Sequence, residues 1–126
     1  MGNPWIRTAT ITVLGLRIAY GAGLILAPGR LGARWLGPAS RTAPTQVPLQ
    51  GLGARELILH AGALSSALRG GALRPWLAAS VAGDLADVAA TVIGRDELPA
   101  GSARATVLVG GGSAAIGAAL AIATER

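Results

Sequence analysis

The chain has 126 residues, of which 13% are charged, with a net charge of +5 and a mean hydropathy of +0.53. A single domain this size with so little charge lacks the polar surface that a soluble fold needs, and the absence of cysteine excludes disulfides, thiolate metal sites and thiol nucleophiles. The positive charge comes from eleven arginines and no lysine, which lie mostly in short connections between apolar runs, so no nucleic-acid partner is expected.

A bilayer core about 30 Å thick is crossed by ~20 apolar residues in a helix. Four such runs predict an all-α polytopic membrane protein, one four-transmembrane-helix bundle over residues 1–126 with spans near 8–27, 48–68, 75–93 and 104–123. The first run stops at Pro28-Gly29. It is too long for the apolar region of a signal peptide and carries Arg17 in its middle, so it is read as a retained span. The connection 28–47 holds Arg30, Leu31, Arg34, Trp35 and Leu36, the pattern of a short interfacial helix, followed by a Pro-rich stretch expected to be an irregular loop.

Pro48 opens the second run and Pro75 the third, each at a first helical position where proline costs no backbone hydrogen bond. Arg69-Gly70-Gly71 between them forms a tight turn, which makes spans two and three antiparallel neighbours. Arg95 to Pro99 separates the third run from the fourth. There Gly110, Gly111, Gly112, Ser113, Ala114, Gly117 and Ala118 place small residues at four-residue spacing, allowing close packing within the chain or in a homodimer.

Trp5, Trp35 and Trp76 fall at span ends, where an indole ring is buried and its N–H kept in the headgroup layer. Loop arginines divide four to five between the two sides, a balance that fixes no orientation. With a composition rich in Ala, Gly and Arg, the expected location is a bacterial cytoplasmic membrane, with the lipid bilayer as the first partner.

Six ionisable groups lie inside the spans: Arg17 in the first, Arg55, Glu56 and His60 in the second, and Asp84 and Asp87 in the third. A charge at the bilayer centre costs about 2.5 to 3.5 kcal/mol, so these groups are expected to face one another. With a rise of ~1.5 Å per residue, Arg17 matches the depth of Asp84, and Arg55 that of Asp87. Two ion pairs follow, leaving Glu56 as the carboxylate without an arginine and His60 beside it on the same helix face.

Such pairs can serve helix packing alone, or they can line a polar cavity near the midplane. The surplus Glu and His favour the cavity. A metal is conceivable on Glu56, His60, Asp84 and Asp87, but two arginines at the same depth already neutralise carboxylates, so no metal is expected. The serines carry no nucleophile motif, and the span-four glycines lack the Lys-Ser/Thr of a phosphate loop.

General acid/base chemistry suits the inventory best: one carboxyl protonates while a second, held by arginine, deprotonates. That predicts isomerisation, epoxide opening or cyclisation of a lipophilic small molecule, without a cofactor. Asp84, Asp87 and Glu56 are the candidate acids or bases, Arg17 and Arg55 stabilise developing negative charge, and His60 and Tyr20 are assigned to binding. The alternatives are a proton-coupled exporter working as a dimer and a non-catalytic subunit of a membrane complex.

In length, in Gly53-Ala54-Arg55-Glu56-Leu57 and in Gly83-Asp84-Leu85-Ala86-Asp87, the chain resembles the small four-helix membrane proteins grouped as DoxX-like, and related families. The resemblance implies the four-helix architecture and no particular activity. Small multidrug transporters fit less well, since they carry a glutamate in span one where Arg17 stands here; fluoride channels depend on phenylalanines, which this chain lacks.

Overall fold

The structure, a computed structural model, describes residues 2–124. These form five α-helices: α1 (Pro4–Leu26), α2 (Pro28–Leu36), α3 (Ala43–Leu68), α4 (Arg74–Ile93) and α5 (Ser102–Ala123). Among the described residues there is no strand.

Local chemistry sets the helix ends. The Asn3 carboxamide oxygen accepts from the Trp5 N–H at 2.9 Å and Pro4 follows at the first helical position. Proline again opens α2 and sits in the first turn of α3 and α4. Gly37 ends α2 at φ 66°, a conformation that suits glycine, and turns the chain into a short 3-10 segment, Gly37–Arg41.

Glycine contacts set the register of the long helices. A Cβ at Gly21 would lie 2.7 Å from the Gly53 carbonyl oxygen, and one at Gly53 only 2.6 Å from that of Gly21, so α1 and α3 cross backbone to backbone here. Gly62 meets the Trp76 ring and Gly83 meets the Arg55 guanidinium, which makes α3 and α4 antiparallel. Gly110 meets Val88 and Gly117 meets Val81, so α4 and α5 are antiparallel too. The span-four glycines 110 and 117, with buried Ala114 between them, therefore pack within the chain.

Three levels follow along these helices. At the end holding the start of α1 and the end of α5, Leu14, Ala63, Leu73, Leu77 and Leu120 form an apolar core. The charged residues occupy the middle. At the far end α2 lies across α1, α3 and α5, with Gly32 against Leu49 and Gly23 against Leu31. Around the outside, Leu16, Leu26, Ile58, Leu85, Ile93, Leu108, Val109 and Ile116 are all at least half exposed.

Three helices, α1, α4 and α5, are long and apolar enough to cross a membrane, rather than the four expected. The 26-residue α3 has the length, but Gln46, Gln50, Arg55, Glu56 and His60 dilute its apolar character. It also begins at Ala43, five residues before the expected start, so Pro48 lies inside it and the irregular loop shrinks to the 3-10 segment. The tryptophans differ in role. Trp5 is 81% exposed, whereas the Trp35 N–H donates to Thr91 Oγ1 at 2.9 Å and Trp76 packs against the apolar core.

Candidate functional site

The Gly21–Gly53 crossing positions the charges. Arg17 lies four residues before Gly21 on α1, and Glu56 three residues after Gly53 on antiparallel α3, displacements of about 6 and 4.5 Å in the same direction. The two side chains are thereby brought level. Arg17 uses both edges of its guanidinium: Nε and Nη2 donate to the Glu56 oxygens at 2.8 and 3.0 Å, and Nη1 and Nη2 to the Asp84 oxygens at 3.0 and 2.6 Å. One guanidinium thus ties α1, α3 and α4 together through two bidentate pairs.

The two expected ion pairs both form, since Arg55 Nη2 donates to Asp87 Oδ2 at 2.7 Å. Glu56 is not the leftover carboxylate. Depth alone paired each arginine once, whereas a planar fork with five N–H groups serves two carboxylates, and Arg17 takes Glu56 along its second edge. The carboxylate with a spare oxygen is instead Asp87, whose Oδ1 accepts no hydrogen bond from any described residue. Two arginines (+2) against three carboxylates (−3) leave the cluster one negative formal charge while His60 is neutral.

His60 is 2% exposed and committed at both nitrogens. Its Nδ1 lies 2.6 Å from the Glu56 carbonyl oxygen, which can only accept, so Nδ1 carries the proton. In neutral imidazole Nε2 then accepts from the Ser80 hydroxyl at 2.8 Å. Ser80 escaped the sequence reading, although it shares a face with Asp84 one turn away.

Two cavities adjoin the cluster and share the wall formed by Trp35, Leu52 and Asp87. The larger, of about 430 Å³, is lined by Arg17, Tyr20, Glu56, Asp84 and Asp87 on its polar side, by Leu31, Leu52 and Val109 on its apolar side, and by Arg34. The smaller, of about 390 Å³, runs along the Pro48 turn of α3 to Arg55, whose buried Nε has no hydrogen-bond partner. Tyr20 stands on the wall of the larger cavity, while His60 lies outside both linings.

The helix α2 closes this end. Trp35 bonds to Thr91, and the Ser102 hydroxyl donates to the Trp35 carbonyl at 2.6 Å, fixing α2 to α4 and α5. Sequence reading gave Trp35, Thr91 and Ser102 no such part, because they converge from three helices. Among the described residues no group of three or more His, Asp or Glu side chains is placed to hold a metal ion. Comparison of the chain with family models, curated proteins and solved structures finds no match.

Proposed function

We propose that α1, α3, α4 and α5 cross a membrane as a four-helix bundle, and that the larger cavity is the site of an acid/base enzyme acting on a lipophilic small molecule. The four-span reading adds α3 to the three apolar helices on two grounds. It is as long as they are, and its charges point inward to partners on α1 and α4, so lipid is not asked to solvate them. It agrees with the architecture implied by the DoxX-like resemblance. Protein recovered in the aqueous fraction without detergent would remove it.

The observation that carries the enzyme reading is the free Asp87 Oδ1 on a cavity wall where both oxygens of Glu56 and both of Asp84 are held by Arg17. Asp87 is thus the residue placed to take a proton from a bound molecule. Its Oδ2 contact with Arg55 keeps it oriented. Arg17 spends four of its five N–H groups on carboxylates, and its last, on Nη1, is available to negative charge developing on the substrate. Glu56 and Asp84 become the groups that hold Arg17.

Proton return to a different atom completes an isomerisation, and the same first step serves cyclisation or epoxide opening. An enzyme of this kind exchanges protons with solvent. Incubating the purified protein in D2O with lipids extracted from its host is expected to add deuterium to one lipophilic compound, and Asp87→Asn is expected to abolish the exchange. No exchange with wild-type protein would end the reading.

The single excess negative charge favours a second reading, a proton-coupled exporter of hydrophobic cations in which Asp87 holds the cation and a proton in turn. Loss of cation resistance in cells carrying Asp87→Asn, without any exchange chemistry, would select it.

A further inference from the structure

The wall of the larger cavity is electrically divided. Its interior side carries the cluster with one excess negative charge, and its α2 side carries Arg34. Arg34 is exposed and, among the described residues, has no hydrogen bond or ion pair. Its neighbour Trp35 is anchored to Thr91, one helical turn, roughly 6 Å, beyond Asp87 on α4. Leu31, Leu52 and Val109 supply the apolar part of the same lining.

A molecule that satisfies this lining has an acidic group at one end and an apolar body. The anion is disfavoured at the floor, where three carboxylates outnumber two committed arginines, and it finds an uncommitted guanidinium at the rim. We propose that the cavity takes a small lipophilic carboxylic acid, bound with its carboxylate on Arg34 and its apolar body directed toward Asp87. This rests on the cavity being the substrate site and adds the substrate's class and direction: the acid end faces α2, so the carbon presented to Asp87 lies several bonds along the chain. A volume of about 430 Å³ falls in the range of small-molecule sites, ~300 to 1,000 Å³. Arg34 acts here as a binding and positioning residue.

The test uses the full chain in phosphatidylcholine nanodiscs, with Trp5→Phe and Trp76→Phe leaving Trp35 as the only fluorophore. The probe is 11-bromoundecanoate, whose bromine quenches a nearby indole. Saturable quenching is expected, with half-saturation raised about tenfold by Arg34→Gln, the loss of one charge-assisted contact at a solvated rim. Arg30→Gln, which changes an exposed α2 arginine outside the lining, is expected to leave it unchanged. The alcohol 11-bromoundecanol is expected to bind about tenfold more weakly than the acid and to ignore Arg34→Gln.

Equal affinity for acid and alcohol, or acid binding that survives Arg34→Gln, would overturn the proposal, as would preference for a bromoalkyl trimethylammonium. Replacing a third of the lipid with phosphatidylglycerol separates the remaining source of anions. If that lipid abolishes acid binding, Arg34 serves bilayer headgroups and the proposal fails. Acid binding that depends on Arg34 beside deuterium exchange that ignores Asp87→Asn would keep this proposal and discard the acid/base enzyme.

Discussion

Arg17→Met gives the sharpest test of the cluster. The side chain makes four hydrogen bonds to two carboxylates that are 3% and 6% exposed, so its removal leaves Glu56 and Asp84 facing each other with only Arg55, 3.7 Å from Glu56, as a counter-charge. Breaking a buried pair from one side costs about 3 to 5 kcal/mol. Arg55→Met, by contrast, breaks one hydrogen bond between side chains that are 36% and 29% exposed, together with a looser 3.7 Å ion pair to Glu56, for an expected loss of about 1 kcal/mol. Unfolding of the detergent-solubilised protein by increasing SDS fraction, followed by tryptophan fluorescence, measures both. Arg17→Met combined with Asp84→Asn is expected to recover about 1 to 3 kcal/mol relative to the sum of the single changes. Arg17→Lys is expected to lose less than Arg17→Met but still to be destabilising, because an ammonium keeps the counter-charge yet cannot meet two carboxylates edge-on. Equal losses for Arg17→Met and Arg55→Met, or strict additivity with Asp84→Asn, would refute the clamp.

Gly53→Ala places a methyl group 2.6 Å from the Gly21 carbonyl oxygen and is expected to cost about 1 to 3 kcal/mol, whereas Gly51→Ala, with nothing within 4 Å, is expected to be neutral or slightly stabilising; thermal unfolding in detergent separates them. Ser80→Ala removes the donor to His60 Nε2 and is expected to lower stability by about 1 to 3 kcal/mol in the same assay. Nitrogen-15 NMR of labelled His60 is expected to find Nδ1 protonated and Nε2 bare, and the opposite tautomer would contradict the bond to the Glu56 carbonyl. Trp35→Phe keeps the ring against the cavities but loses the bond to Thr91, for an expected cost of about 1 kcal/mol in thermal unfolding.

The positions of the long helices were legible because length, proline and glycine act locally, and Arg17, Asp84, Arg55 and Asp87 could be paired from depth alone. Azimuth was harder to read. Whether Glu56 turns toward α1 or away depends on the Gly21–Gly53 crossing, a property of two backbones in contact that no single run displays. The same limit hid Ser80 under His60 and Thr91 under Trp35, each a hydroxyl whose role depends on a partner from another helix. The start of α3 was misjudged for a different reason. Pro48 reads as a boundary, yet only five residues into a helix it forfeits one backbone bond near an end already short of partners.

The double clamp on Arg17 also bears on how the protein is made. If α1 enters a bilayer first, it carries a guanidinium whose carboxylate partners, Glu56 and Asp84, are still to be synthesised, at a cost of about 2.5 to 3.5 kcal/mol for an isolated central arginine. The relatively polar α3 has the converse problem, and only the short connection 69–73 separates it from apolar α4. On the proposed four-span reading, the charge of α1 is compensated only once both α3 and α4 have joined it, so the three helices depend on one another to enter lipid.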